Sequence, residues 1–219
     1  KYTMKNMIET ACAAAKEAGV YLKSNFGDIV SIEEKPDKSL VTACDKEAER
    51  IIVSQIKKNF PQHGILAEEG STGADNGEYT WVIDPLDGTH NYIRGMPMYG
   101  VSVGIAYGGE FCGGAIYMPE TGKLFSAEKG SGAWCNGKRI HCSDCKSLSE
   151  CSLSYDSSIR SDPERITQIF KELGLIVFNM RMFGSSVQLL SCLAEGAVDA
   201  AIEYGDKPWD FAAGTVLIQ

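Results

Sequence analysis

Long apolar runs and clusters of basic residues are what this 219-residue chain most clearly lacks. No run approaches the roughly 20 apolar residues that a membrane-spanning helix needs, and the N-terminal stretch carries Lys, Glu and Asp where a secretion signal would be apolar. The net charge is -8, and no cluster of Lys and Arg is present to hold a phosphate backbone. These absences predict a protein that spans no membrane, binds no nucleic acid and lies in the cytoplasm.

Disulfide context is also lacking, although the chain has 8 cysteines. Disulfide scaffolds are typical of small secreted domains, whereas this chain is long enough to bury a substantial core as one domain or two packed subdomains. Cys142 and Cys145 form a C-x-x-C pair, but a zinc site would need a second pair or regularly spaced histidines. Cys135 and Cys151 are irregularly placed, so we expect reduced thiols rather than a zinc or redox site.

The stretch Trp81–Asn91, reading WVIDPLDGTHN, is the most informative part of the chain. Its aromatic and β-branched start predicts a buried strand, and the two acidic residues that follow place charge at the strand's end. Pro85 cannot continue the ladder, so the chain must turn and leave Asp84 and Asp87 free to converge. Two carboxylates held together repel each other unless a cation lies between them.

Gly88 and Thr89 complete this stretch with features that suit an anion. Glycine lets the backbone approach a ligand closely, and threonine can begin a helix whose first N–H groups face a negative charge. Together with the two aspartates, they suit Mg²⁺-assisted hydrolysis of a phosphate ester. An ordinary surface turn after a strand has a similar composition, however, and the spacing alone does not decide between the two.

A second predicted strand, at 64–67, also ends in acidic residues, Glu68 and Glu69. If the two strands are neighbours in one sheet, Glu68 joins Asp84 and Asp87 around a cation. If they are not, Glu68 and Glu69 belong to a solvated turn.

Two more aspartates have a simple local interpretation. Thr42 and Asp45 match a capping box for a helix that runs to about Asn59. Asp210 follows Pro208 in the first turn of another predicted helix, where the macrodipole favours a carboxylate. Capping explains both aspartates without any chemistry.

The remaining elements predict a sheet followed by alternating strands and helices. An amphipathic helix at 4–25 and a short strand at 29–33 come first, and a polar loop occupies 71–79. We expect a single unit, 1–219, with subdomains at 1–143 and 151–219 joined through 144–150. The predicted elements are an antiparallel meander at 99–107, 111–117 and 123–127, a turn at 131–137, strands near 152 and 176 and at 197–202, and helices at 162–173 and 185–194.

Several ordered motifs resemble the inositol monophosphatase family of magnesium-dependent, lithium-sensitive phosphatases, over essentially the whole chain. The motifs are Glu68-Glu69, Asp84-Pro85-Leu86-Asp87-Gly88-Thr89 and Trp209-Asp210-x-Ala212-Ala213-Gly214, with Lys35-x-Asp37-x-Ser39-x-Val41-Thr42-x-x-Asp45 upstream and Gly184-Ser185-Ser186 and Glu203-x-Gly205 downstream. The resemblance implies an α/β (α+β) fold, a layered αβαβα sandwich, and a homodimer that hydrolyses a small phosphate monoester.

The resemblance also implies a role for each matching residue. Two Mg²⁺ ions, with a weaker third near Glu68, would be held by Glu68, Asp84, the Leu86 carbonyl, Asp87 and Asp210, with Asp84 bridging. The catalytic residues would be Glu68, Asp45, Thr89 and Asp87, with Thr89 and Asp45 orienting the attacking water. Gly88 and Thr89 would bind phosphate, and Gly184, Ser185, Ser186 and Glu203 would line the alcohol side.

The substrate and some other functions stay open at this point. Inositol monophosphate is the favoured substrate, with fructose 1,6-bisphosphate, histidinol phosphate and 3′-phosphonucleotides as alternatives, because Ser185-Ser186 departs from the family's commoner Thr-Ala. A haloacid-dehalogenase-type enzyme needs acids two residues apart, whereas Asp84 and Asp87 are three apart. A noncatalytic metal-binding or ligand-binding regulatory module is a further alternative. The resemblance implies a further C-terminal portion of roughly forty to fifty residues.

Overall fold

The computed structural model describes residues 3–28, 32–35, 40–73 and 78–219. The motif positions Asp37 and Ser39, the start of the strand predicted at 29–33 and the centre of the loop predicted at 71–79 lie outside these ranges. The described N-terminal elements are α1 (Met4–Ser24), β1 (Ile32–Glu34), β2 (Leu40–Thr42) and α2 (Ala43–Asn59), with β1 and β2 paired antiparallel. The predicted capping box is confirmed, with Thr42 as the N-cap of α2.

Seven strands form the large sheet, in chain order from one edge to the other. The first two are parallel and every later pair is antiparallel, which confirms the predicted meander. The strands are β3 (Gly64–Ala67), β4 (Tyr79–Asp87), β5 (Gly100–Tyr107), β6 (Glu110–Met118), β7 (Lys123–Glu128), β8 (Gly132–Cys135) and β9 (Lys138–Ile140), and a short helix, α3 (Thr89–Ile93), follows β4.

The prediction of a simple turn at 131–137 is wrong, because most of that segment is strand β8. Ala133 and Cys135 are buried and alternate with half-buried neighbours, so the segment has the period of a strand despite its glycines. The turn is confined to Asn136 and Gly137, whose φ angles of 48° and 76° suit the two central positions of a tight hairpin.

Helices α1 and α2 cover one face of the large sheet. The inner face of α1 is built largely of alanine, with Ala11, Ala14, Ala15 and Ala18 fully buried, so this helix can lie close to the sheet. Larger side chains fill the space under α2, where Ile52 and Ile56 share a core with strand residues such as Trp81.

Helices α5 (Ser186–Ala194) and α6 (Pro208–Ile218) cover the opposite face. Helix α6 approaches the sheet very closely, since a Cβ added at Gly104 of β5 would lie 2.6 Å from the Cβ of Ala212. Glycine at this position therefore permits the close contact between sheet and helix.

A second sheet of three parallel strands completes the fold, in the order β11 (Asn179–Arg181), β10 (Ser152–Tyr155), β12 (Ala200–Ile202). Helix α4 (Pro163–Gly174) packs on this sheet through Ile166, while α5 contacts β12. The layers are thus helices, large sheet, helices, small sheet and helix, which confirms the αβαβα sandwich.

The strand predicted near residue 176 begins only at Asn179. The amides of Ile176 and Val177 both donate to the carbonyl of Leu173 at 2.9 Å, so a turn that follows α4 occupies this segment. The division into subdomains at 144–150, where the structure has a 3-10 turn at Leu148–Glu150, stays a prediction. Among the described residues, we find no helix with the length and apolar character that crossing a bilayer requires.

Candidate metal and phosphate site

Parallel pairing of β3 and β4 brings their acidic ends together. Ala67 is paired with Ile83, and the amide of Glu68 donates to the Ile83 carbonyl at 3.1 Å. Besides burial, the charge of Glu68 raises the pKa of Asp84. The condition for Glu68 to join the aspartates, that the two strands are neighbours, is therefore met.

Asp84, Asp87 and Asp210 form a carboxylate cluster in which one oxygen of each lies within 4.8 Å of the others. Asp84 is 2% exposed and Asp87 is 7% exposed, so water solvates their charges poorly. Burial, followed by the charges of Glu68, Asp87 and Asp210, raises the pKa of Asp84 well above its usual range. Buried oxygen donors that repel one another fit a hard divalent cation.

An interruption of the β4–β5 ladder places Asp84 and Asp87 on the same side. In a regular strand, residues three apart point to opposite faces. Here Asp84 is paired with Ser102 and Asp87 with Gly100, so β4 has one residue more than β5 across this step. The extra residue forms a bulge that returns Asp87 to the face of Asp84.

Asp87 is also hydrogen-bonded to the start of α5. Its Oδ2 accepts hydrogen bonds from the amide of Val187, at 3.1 Å, and from the hydroxyl of Ser185, while Oδ1 accepts from the amide of Ser186 at 3.2 Å. Burial raises the pKa of Asp87 to about 7, although these hydrogen bonds lower it. Ser185 is therefore a buried helix cap directed at Asp87, whereas the Ser186 hydroxyl donates to Glu203 at 3.2 Å.

Asp45 performs the capping role and also reaches the site. Its Oδ2 accepts from the Thr42 amide at 2.8 Å and from the Thr42 hydroxyl at 2.6 Å. Its Oδ1 lies 3.1 Å from the Thr89 hydroxyl, which is also 2.9 Å from the carbonyl oxygen of Leu86. One hydroxyl is thus held between Asp45 and the bulge of β4.

Gly88 has a backbone conformation that other residues rarely adopt. Its φ is 80°, in the left-handed region, and it precedes the first residue of α3. An added Cβ would lie 2.8 Å from the Met98 carbonyl oxygen and 3.1 Å from the Cβ of Ser185. Backbone angle and space therefore both require glycine between Asp87 and Thr89.

A cavity of about 240 Å³ adjoins the cluster and contains the residues predicted for the alcohol side. Glu203 lies in it, and burial with the charges of Asp206 and Asp156 raises its pKa to about 8. Burial, then Asp210 and Asp156, raises the pKa of Asp206 to about 6. The lining includes Asp87, Gly184, Ser185, Ser186, Glu203 and Asp210 from the predicted set, together with Asp156 and Asp206.

Sequence reasoning missed several acidic residues near the site. Glu49 is buried and accepts hydrogen bonds from the amides of Glu69, at 2.7 Å, and Ser71, at 2.9 Å, so it fixes the turn after Glu68. Its position one helical turn after Asp45 was the available signal. Lys35 Nζ lies 2.8 Å from Glu68 and 2.6 Å from Glu69. Burial lowers the pKa of Lys35, but the two carboxylates together raise it by more, so the net shift is upward. Nothing local marked Asp156 or Asp206.

Comparisons with known proteins identify related chains. A model of the inositol monophosphatase family matches residues 3–219. An Aquifex aeolicus protein named fructose-1,6-bisphosphatase/inositol-1-monophosphatase is 41% identical over 220 residues, covering 99% of this chain and 83% of the relative. The Nus factor SuhB of Vibrio cholerae is 36% identical over 220 residues, covering 98% and 82%.

The architecture matches solved structures as well. An inositol monophosphatase from Anabaena superposes with a TM-score of 0.87 at 34% sequence identity, covering 98% of this chain and 81% of that one.

Proposed function

The chain belongs to the inositol monophosphatase family, and we propose that it is a Mg²⁺-dependent phosphomonoesterase whose substrate is inositol monophosphate or a similar small polyol phosphate. The observation that carries the proposal is the buried cluster of Asp84, Asp87 and Asp210 beside a polar cavity. Such a cluster brings a cation and a phosphate ester together.

Two or three Mg²⁺ ions fit the residues present. Asp84, Asp87 and Asp210 would hold one ion, and Glu68, Asp84 and the Leu86 carbonyl another, with Glu68 also available to a third. All these donors are oxygens, which favours Mg²⁺ over softer metals. When bound, Mg²⁺ supplies the positive charge that activates a water molecule and neutralises the leaving oxygen.

Thr89 and Asp45 would orient the attacking water. The Thr89 hydroxyl can accept a hydrogen bond from the water while it donates to Asp45 Oδ1, 3.1 Å away. A proton released by the water can then pass through the hydroxyl to Asp45, which is 1% exposed and has a pKa raised by burial. Gly88 and Thr89 would place their backbone amides at the phosphate.

The alcohol of the substrate would lie against Gly184, Ser186 and Glu203. Glu203 and Ser186 are hydrogen-bonded to each other, so they present a fixed acceptor and a fixed hydroxyl to the polyol. Ser185 contributes by holding Asp87 in place rather than by contacting the alcohol, since its side chain is buried against that residue.

Phosphate release from inositol 1-phosphate tests the proposal. Purified protein should release phosphate with Mg²⁺ and stop in excess chelator, and Asp87→Asn should abolish release. The Asp144→Asn variant is a matched control, because it removes an exposed carboxylate at the far end of α6. Equal release with and without chelator would show the metal assignment to be wrong.

A noncatalytic binding module is the second candidate, favoured by the relatives named Nus factor SuhB. All these carboxylates could bind a metal without turnover. The two candidates separate in the same assay, because a binding module would gain thermal stability from Mg²⁺ yet release no phosphate from any monoester in a panel.

A homodimer is the proposed assembly, and the apolar patch formed by Leu175, Ile176 and Phe178 is the proposed contact. These side chains are 83%, 50% and 72% exposed beside the edge strand β11. Exposed apolar surface of this kind is typical of protein interfaces. Light scattering should give twice the monomer mass for the wild type and a lower mass for Phe178→Asp. A monomeric wild type would contradict the proposal.

A further inference from the structure

The cavity beside the metal cluster has an acidic lining. Besides the proposed ligands Asp87 and Asp210, three carboxylates line it: Asp156, Glu203 and Asp206. No Lys, Arg or His is among the described residues that line the cavity. Any substrate group that reaches past the scissile phosphate therefore meets negative charge.

Two of these carboxylates are fixed by hydrogen bonds. Asp156 is 5% exposed, and its oxygens accept from the amides of Ser158, at 2.7 Å, and Tyr204, at 2.9 Å. These two backbone donors fix the orientation of the Asp156 carboxylate. Glu203 accepts from the Ser186 hydroxyl.

Asp206 differs from both, because its carboxylate accepts no hydrogen bond from any residue in the described part of the chain. It is half-buried and is faced by the charges of Asp210 and Asp156. Carboxylates only accept hydrogen bonds when ionised, so substrate hydroxyl groups suit it and anions do not. Parallel pairing of β10 with β12, in which Tyr155 is opposite Ile202, brings Asp156 and the Glu203–Asp206 segment together.

From this arrangement we infer that Asp206, together with Asp156, is a specificity-determining residue that disfavours substrates carrying a second phosphate. A second phosphate brings roughly -1.5 to -2 charges and is normally bound by Arg, Lys or backbone amides. In this cavity it would face carboxylates instead. The hydroxyl groups of a polyol monophosphate can donate to the same carboxylates.

The inference rests on the proposed function. One relative is named for both fructose-1,6-bisphosphatase and inositol-1-monophosphatase activity, and the inference predicts that these two activities differ in this chain. We expect the chain to prefer the monophosphate. The preference is the ratio of kcat/KM for inositol 1-phosphate to kcat/KM for fructose 1,6-bisphosphate, measured with Mg²⁺.

Substitution of Asp206 tests it. Asp206→Asn should lower this ratio at least about fivefold, because one unit of repulsion is removed, and the change should come mainly from a lower KM for the bisphosphate. Asp206→Lys should lower the ratio further. The Asp144→Asn control, which changes the charge by the same amount as Asp206→Asn, should leave the ratio unchanged. An unchanged ratio in both Asp206 variants, or an equal loss of kcat for both substrates, would overturn the inference.

Binding measurements keep this outcome distinct from that of the proposed function. Thermal-shift titration of the same proteins with both compounds, in Ca²⁺ instead of Mg²⁺, gives the binding ratio without turnover. If the wild type releases no phosphate from either compound, the proposed function fails. The inference then stands if the monophosphate binds the wild type more tightly and Asp206→Asn narrows the difference, and it fails if the binding ratio does not change.

Discussion

Replacement of Asp84 by asparagine removes one negative charge from the carboxylate cluster while the hydrogen bond at this position can be kept. The substituted side chain could still accept from the Leu86 amide, which lies 3.1 Å from Asp84 Oδ1. We therefore expect opposite effects on the metal-free and metal-loaded proteins.

The size of the effect follows from the geometry. Carboxylate oxygens within 4.8 Å of one another repel by about 3 kcal/mol per pair of unit charges at an effective dielectric constant of 20. Burial raises the pKa of Asp84 well above its usual range and that of Asp87 to about 7, so the cluster is not fully charged in the metal-free wild type and only part of this energy is recovered. We expect the metal-free variant to be more stable by about 1 to 3 kcal/mol, which raises Tm by about 2 to 10 °C for a chain of this size.

Mg²⁺ should reverse the order of stability. At a hundred times its Kd, an ion that binds only the folded state stabilises it by about 2.7 kcal/mol. The wild type should gain this and Asp84→Asn should gain little. Activity should fall at least about a hundredfold, because charge stabilisation in the transition state is lost.

Differential scanning fluorimetry in chelator and in Mg²⁺, with phosphate release measured in parallel, checks both signs. Asp144→Asn again controls for the loss of one charge at an exposed position. If metal-free Asp84→Asn were no more stable than the wild type, or if Mg²⁺ raised the Tm of both proteins equally, these carboxylates would not form a repulsive metal site.

Three further predictions concern the backbone, the turn after Glu68 and pH. Gly88→Ala should lower the free energy of unfolding by about 1 to 3 kcal/mol and reduce turnover, because the new Cβ would lie 2.8 Å from a carbonyl oxygen. The control Gly95→Ala, at φ 70° with nothing within 4 Å, should show only the backbone destabilisation and keep its activity. Equal losses of turnover in the two variants would contradict this. Glu49→Gln should raise the Mg²⁺ concentration for half-maximal activity several-fold. The amide group of the new side chain would face a backbone N–H of Glu69 or Ser71, so the turn after Glu68 would lose a hydrogen bond. An unchanged Mg²⁺ titration would refute this prediction. Burial raises the pKa of Asp87 to about 7 and that of Glu203 to about 8. Their contribution to metal-free stability is therefore full below their unfolded values of about 4 and is lost as pH rises from there through 7 to 8. Tm in chelator should fall between about pH 4 and about pH 8 and Mg²⁺ should reduce the fall; a chelated Tm that rose with pH would contradict this prediction.

The central acidic stretch could be predicted from the sequence because the residues that mark its strand and turn are neighbours in the chain. The strand is recognisable from its composition, and Gly88 marks the turn that ends it. The turn predicted at Pro85 is wrong, because β4 continues through Pro85 to Asp87 and its ladder is only interrupted there by the bulge. The face on which Asp87 lies depends instead on the bulge against β5, which is a long-range pairing. A regular strand would have separated Asp84 from Asp87, so the acidic residues suggest the convergence while their spacing alone argues against it.

The local capping interpretations of Asp45 and Asp210 were correct and yet incomplete. Asp45 caps α2 and reaches Thr89, and Asp210 accepts from the Lys207 amide at 2.6 Å while it lies in the cluster. A carboxylate has enough acceptor positions for both tasks. Evidence for a cap in a sequence therefore carries no weight against a functional role.

The positions of Asp156 and Asp206 in the cavity lining could not be predicted from the local sequence pattern. Asp156 and Asp206 are far apart along the chain, and only the pairing of β10 with β12 brings their segments together. Strand β8 was missed for a different reason, since Gly132 within it and Asn136-Gly137 after it resemble a loop until its pairing with β7 is known.

Helix α2 carries Asp45 and Glu49 one turn apart at its N-terminal end, and the same helix fills the core with Ala48, Ile52 and Ile56. A helix moves nearly as a rigid rod. A small displacement of α2 where Ile52 and Ile56 pack therefore also displaces Asp45 and Glu49. Under the proposed function, sequence change in the interior under α2 is consequently constrained twice, by folding and by turnover. Variants selected there for thermal tolerance alone should often be slow enzymes.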